Sequence, residues 1–235
     1  FSGLLDWLVN GGVPAASFIG GEPTLHPRLP EMLQRTASAG ISTVLFTNGL
    51  FAPDIVERIA PHVSNVVVNY NEPHTYADGQ WEKLNANLHA LRLRNVRITF
   101  SKNFSRQSSQ YGYLLEGIKR HNVSAVRYDI SRPAVSGTND HFTLDDTRQV
   151  IATIVDFVKQ CEALGVRTGL DCSVRFCDMR KEDRQYLERV SAKFTGICHP
   201  SLDVHPDLSA SYCLPLSGVR VPSVLQFRNC EELLW

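Results

Sequence analysis

Two sets of residues in this chain have the types and spacing to do chemistry. The first is Gly20-Gly21-Glu22-Pro23, followed further along by Thr47-Asn48-Gly49. Paired glycines let a backbone come close to a ligand. Their carbonyls and the Glu22 carboxylate can accept hydrogen bonds from an ammonium group, and Pro23 fixes the turn that follows. For these four residues alone, a glycine turn with a solvated glutamate is the plainer alternative. Thr47-Asn48-Gly49 can likewise be a purely structural turn. The second set is cysteine: Cys161, Cys172, Cys177, Cys198, Cys213 and Cys230, five of them after residue 170. The run Cys172-x4-Cys177-x20-Cys198-x14-Cys213 gathers thiols toward one end of the chain, which suits a metal or cluster better than a disulfide scaffold. Four thiolates can hold a 4Fe–4S cluster or a tetrahedral zinc. Tight Cys-x2-Cys pairs, usual in zinc ribbons, do not occur in the sequence, which favours iron–sulfur. Cys230 is an alternative ligand, and Cys161 reads as a small buried hydrophobe.

The elements that must position these residues are legible as a rhythm. Short β-branched or aromatic runs begin at Ala16, Thr43, Val66, Val96 and Ala125, each followed by a helical stretch. Such alternation indicates a parallel sheet. Helical runs are expected over Phe1 to Val9, Pro30 to Ala39 with Gly40 behind it, and Pro53 to Ala60 with proline in the first turn. A longer helix opens at Asp145 and Asp146 and runs to about Leu164. A sixth strand, Arg167 to Asp171, leads directly into Cys172; beyond it the rhythm gives way to short polar segments. Residues 1–165 therefore read as an α/β barrel or part-barrel and 166–235 as a small cysteine-bearing module. In such folds ligands sit at the carboxyl ends of the strands. Those ends carry Gly20 to Pro23, Thr47 to Gly49, Asn69 to Glu72, Ser101-Lys102-Asn103 and Ser131-Arg132-Pro133, all polar or glycine.

Composition narrows the class. With 235 residues, 43% hydrophobic and 20% charged, the chain is an ordinary globular protein and too apolar to be disordered. Lys+Arg and Asp+Glu are equal at 24 each, which gives no electrostatic argument for nucleic acid or an anionic membrane. No apolar run reaches the ~20 residues of a membrane span, and the first residues resemble no signal or transit peptide. The expected location is cytoplasmic. Gly-x-Ser-x-Gly and His-Glu-x-x-His hydrolase motifs do not occur.

Ser17-Phe18-Ile19-Gly20-Gly21-Glu22-Pro23-Thr24, with Thr47-Asn48-Gly49 one strand–helix unit later, resembles the radical S-adenosylmethionine (radical SAM) enzymes. The resemblance implies a partial (β/α)6 TIM-type barrel in which Gly20, Gly21, Glu22 and Pro23 hold the amino group of the cofactor methionine, with Thr47 and Asn48 in the adjoining turn. It places Asn69 and Asn71 near the cofactor ribose, and Ser101 and Asn103 at ribose or carboxylate contacts. Arg132 would then pair with the methionine carboxylate, for which a guanidinium fork is suited. Leu202 to Leu208 and Tyr212-Cys213 resemble the hairpin of the SPASM and twitch extensions of that family, with Leu208 where glycine is usual. This implies an auxiliary 4Fe–4S cluster on Cys172, Cys177, Cys198 and Cys213, a single cluster of the twitch type being the economical choice.

The family's Cys-x3-Cys-x2-Cys motif, whose thiolates ligate the cluster that reduces S-adenosylmethionine, does not occur in the sequence. Either a preceding segment of roughly 30–60 residues carries the first strand and the cluster loop, which is the favoured expectation, or the chain is a degenerate relative. The implied activity is generation of a 5′-deoxyadenosyl radical that abstracts hydrogen from a peptide or small-molecule substrate, with electrons from a flavodoxin or ferredoxin. Peptide maturation is the favoured role. Small-molecule dehydrogenation, or a non-catalytic binder with zinc or a structural cluster, are the alternatives.

Overall fold

A computed structural model of the chain describes residues 1–133, 139–143, 146–197, 201–212 and 218–234. Strand and helix alternate through most of it: α1 (Ser2–Asn10), β1 (Ala15–Phe18), α2 (Leu29–Ser38), β2 (Ser42–Thr47), α3 (Pro53–Ile59), β3 (Asn65–Asn69), α4 (Gln80–Leu93), β4 (Arg97–Phe104), α5 (Gly112–His121), β5 (Ala125–Ile130), α6 (Thr147–Ala163), β6 (Arg167–Leu170), α7 (Lys181–Val190) and β7 (Ser191–Ala192). There follow β8 (Leu202–Val204), β9 (Ala210–Tyr212), β10 (Arg220–Val221) and α8 (Cys230–Leu234). Strands β1 to β7 form one seven-stranded sheet in chain order. The pairs β1–β2, β4–β5, β5–β6 and β6–β7 are parallel. This is the mixed α/β, partial-barrel class that the rhythm of the sequence indicates. Strands β8 to β10 form a separate antiparallel sheet. No helix among the described residues is long and apolar enough to cross a membrane.

Local chemistry accounts for the boundaries. Pro30 and Pro53 stand in the first turns of α2 and α3, where a missing N–H costs nothing. Asn122 closes α5 in the left-handed conformation. Of the two aspartates expected to open the long helix, Asp145 lies outside the described residues. Asp146 precedes α6 and accepts hydrogen bonds from Thr143 N and Oγ1 at 3.2 and 2.7 Å. Two elements differ from the sequence expectation. Strand β4 runs to Phe104 rather than ending near Phe100, because it stays paired with β5 as far as Phe104 opposite Ile130. Helix α7 stands where only polar segments are expected.

Contacts divide the chain into two compact units. One comprises residues 1–46, 51–65 and 200–235, the other 47–50 and 66–199. In the first unit Leu33 of α2, Leu45 of β2 and Ile59 of α3 are wholly buried. A distinct cluster there joins Trp7, Ala210 and Val224, with Leu4, Val204 and Leu233 packed around it. Trp7 Nε1 donates to Phe227 O at 3.0 Å. In the second unit, one face of β4 and β5 is apolar and helix-covered: Phe104 and Tyr128 meet Phe157 of α6 edge-on at 5.5 and 6.0 Å, and Tyr70 stacks on Phe100 at 4.3 Å. Each such buried ring contributes about 2–3 kcal/mol. The alternate positions Ser101, Asn103, Arg127 and Asp129 fall on the opposite face.

Candidate functional site

In the first unit, β1 ends at Phe18 and the chain opens into Gly20 and Gly21. Gly20 has φ +157°, which a side chain rarely adopts. Gly21 has no such constraint, and a Cβ built on it meets nothing within 4 Å. Neither backbone conformation nor packing therefore requires glycine at 21, and the peptide faces open space. That bare backbone fits the close approach of a ligand, here an ammonium donor to carbonyl oxygens. Glu22 caps the short 3₁₀ turn Pro23–Leu25. Its Oε1 accepts from Thr24 N at 3.1 Å and from Thr24 Oγ1 at 2.6 Å, and Thr24 is buried. The turn thus holds the carboxylate in a fixed direction.

In the second unit, Thr47 Oγ1 accepts from Gly49 N at 3.0 Å and Asn48 Oδ1 from Leu50 N at 2.8 Å. Buried Asn87 of α4 donates to Gly49 O at 2.8 Å. Gly49 itself has φ +77°, and a Cβ there would stand 2.4 Å from Leu84 Cδ1. Thr47 is buried within this turn and Asn48 is exposed. Asn69 and Asn71, also exposed, flank the end of β3. The Tyr76 hydroxyl donates to Asn69 O at 3.2 Å and accepts from Asn71 N at 3.1 Å.

Ser101 and Asn103 lie inside β4, not after it, opposite Arg127 and Asp129 of β5. Ser101 is buried, and its Oγ accepts from Arg127 Nη1 at 2.9 Å. Arg127 also pairs with Asp171 through Nε at 2.8 Å and through Nη2. Burial raises the Asp129 carboxyl above its ordinary range, opposed by hydrogen bonds from Cys172 and Ile130 N. Arg132 is exposed, and its guanidinium donates to Ser173 O at 2.6 Å.

Of the four expected cluster ligands, Cys198 and Cys213 lie outside the described residues. Cys172 and Cys177 are both exposed. Cys172 follows β6, and its sulfur and the Asp129 and Asp171 carboxylates lie within 4.8 Å of one another. Partial burial of the sulfur, then these carboxylates, push the thiol up to about 12. Cys177 sits on the turn Phe176–Asp178. There Phe176 is stacked on Phe194 at 6.0 Å, with Arg184 over its ring at 3.9 Å. Cys230 belongs to the first unit, half-buried, its Sγ 3.5 Å from Gly11 O. Cys161 is fully buried in α6, and burial pushes its thiol up to about 12.

Arg127, Asp129 and Asp171 are polar residues that the motifs do not mark. For Arg127 and Asp129 the signal is parity, while Asp171, just past β6, is marked only by its contact with Arg127. In Ala-Val-Arg-Tyr-Asp-Ile the polar residues alternate with apolar ones, which marks a strand with one polar face.

The architecture is that of proteins whose parallel sheet carries ligands at its carboxyl edge. No protein-family profile matches the sequence, and no curated sequence matches it. Among solved structures, the chain is similar to Streptococcus suis SuiB bound to S-adenosylmethionine, with TM-score 0.70 at 14% identity over 96% of this chain and 57% of SuiB. It is also similar to SuiB bound to the precursor peptide SuiA, with TM-score 0.66 at 16% identity over 93% of this chain and 53% of that one. At these identities the likeness is one of fold, and the chain spans a little over half the length of SuiB. The shared fold agrees with the radical SAM resemblance carried by the Gly-Gly-Glu-Pro stretch.

Proposed function

We propose that this chain is the cofactor- and substrate-holding part of a radical SAM enzyme that modifies a peptide. The observation that carries the reading is Gly21: a bare, open backbone that packing does not demand, beside a carboxylate fixed by Thr24. The fold shared with SuiB, solved with S-adenosylmethionine and with a precursor peptide, supports both halves of the reading.

In the first unit, the carbonyls of Gly20 and Gly21 and the Glu22 carboxylate accept hydrogen bonds from the methionine ammonium, with Pro23 fixing the exit. In the second unit, the side chains of Asn69, Asn71 and Asn103 offer donors and acceptors for ribose hydroxyls. Ser101 is held by Arg127, and Asn48 adds a polar edge to its turn. Arg132 meets the carboxylate once its guanidinium releases Ser173 O. When bound, S-adenosylmethionine and a reducing iron–sulfur cluster would supply the radical chemistry. This chain's residues orient both reactants and exclude water. Cys172 and Cys177 would be ligands of an auxiliary 4Fe–4S cluster, together with Cys198 and Cys213 as the resemblance implies.

The test uses the full-length protein purified without oxygen. Binding of S-adenosylmethionine, its reductive cleavage to 5′-deoxyadenosine and methionine, and iron sufficient for two clusters are the expected results. Zinc in place of iron with no cleavage overturns the enzymatic reading.

A further inference from the structure

Lys102 occupies an anomalous place. It lies on the helix-covered face of β4 between Phe100 and Phe104 and is 2% exposed. Withdrawing an ammonium from water is costly, and methionine would fill the same space. Burial pulls the amine below the ordinary lysine range, opposed by Glu72. Its surroundings show what the charge holds. Nζ donates to Ser108 Oγ at 2.7 Å and stands 3.7 Å from Glu72 Oε1. The rings of Phe104 and Tyr113 lie 5.5 and 5.3 Å from it. Ser108 Oγ, having accepted from the lysine, donates its own proton to Glu72 Oε1 at 3.0 Å. The loop carrying Ser108 is closed on itself: Ser108 N donates to Ser105 Oγ, and Ser105 N donates to Ser108 O, both at 3.2 Å.

Glu72 directly follows Asn71 and stands three residues beyond Asn69. That segment is fastened twice, by the Tyr76 hydroxyl bridging Asn69 O and Asn71 N, and by Glu72 through Ser108 to Lys102. A buried cation on the apolar face of the sheet thereby reaches the polar rim through one serine and one carboxylate. We propose that Lys102 is a positioning residue that, through Ser108 and Glu72, sets the placement of Asn69 and Asn71 and with it the affinity of that rim for the cofactor ribose. The inference rests on the functional reading above.

The experiment measures S-adenosylmethionine affinity, KM and kcat of cleavage, and amide exchange over residues 69–76. It uses the full-length, cluster-loaded protein and the variants Lys102→Met and Lys102→Met/Glu72→Met. The single variant leaves a partly buried carboxylate uncompensated and loses stability. The double variant replaces the charged pair with apolar groups and recovers it. If Lys102 positions the rim, the double variant melts near the wild type yet binds the cofactor at least tenfold more weakly. Exchange over 69–76 is then faster, KM is raised and kcat at saturation stays within about twofold. If affinity returns together with stability, Lys102 is structural and the inference is overturned. A wild-type protein that does not bind the cofactor overturns the functional reading and takes this inference with it.

Discussion

Gly21 and Gly49 show how two glycines in similar company carry different meanings. At Gly49 a methyl would strike Leu84 and the backbone is left-handed. Gly49→Ala therefore loses about 2–4 kcal/mol of stability in urea unfolding. At Gly21 a methyl meets open space. Gly21→Ala leaves the protein as stable as before, or up to about 1 kcal/mol more so. Its S-adenosylmethionine affinity in calorimetric titration falls more than tenfold. A loss of stability with affinity intact would remove Gly21 from the site. Leu208 is a third case, held at φ +69° in the turn between β8 and β9. Leucine in that conformation is strained by about 1–2 kcal/mol. Leu208→Gly should raise stability by about 0.5–1 kcal/mol after the greater freedom of unfolded glycine is offset. The Gly-Gly-Glu-Pro stretch was legible in sequence because its residues act as neighbours. Lys102 was not, because Ser108 and Glu72 reach it from different loops.

At the level of elements, strands were legible wherever β-branched and aromatic residues bunch, as in Val66-Val67-Val68 of β3. The far half of β4 was hidden. Ser101, Lys102 and Asn103 look like a loop, and only pairing with β5 keeps them extended. Helix α7 was hidden for the opposite reason. Its ten residues, KEDRQYLERV, bury only Asp183 and Leu187, so no apolar stripe announces it. Ion pairs along its length, such as Arg184 with Glu188 at 2.9 Å, leave no mark in an apolar periodicity. Helices α4 and α5 carry a pH dependence of their own. His121 is buried, with Nε2 2.8 Å from Asn85 Oδ1. Burial, then the charges of Arg120, Arg92 and His89, bring it down to about 4. The folded pKa lies below the unfolded value near 6.5, so the unfolded chain takes up the proton first as pH drops. Stability contributed by the neutral ring is complete above about pH 6.5 and is lost as pH falls toward 4, by about 1–3 kcal/mol. Urea midpoints measured across that range should show the decline, and His121→Leu should flatten it.

For the whole molecule, the informative fact is that contacts ignore chain order. The thiols bunch in the final third of the sequence, and local pattern alone suggests a division near residue 165. Nothing near Trp7 indicates that its partners are Ala210 and Val224, because apolar residues match by shape once folded and carry no address. Within that unit Trp7 is 4% exposed. Trp7→Ala should cost about 3–5 kcal/mol and open the segment from residue 200 onward to limited proteolysis, with cuts first appearing around β8 to β10.

The bond from Trp7 to Phe227 spans 220 positions of the chain. Ribosomes add about 5–20 residues per second, so the indole emerges roughly 10–40 s before the carbonyl that receives it has been made. Throughout that interval a large aromatic side chain stays wet, and any chaperone that binds nascent hydrophobic segments has its opportunity there.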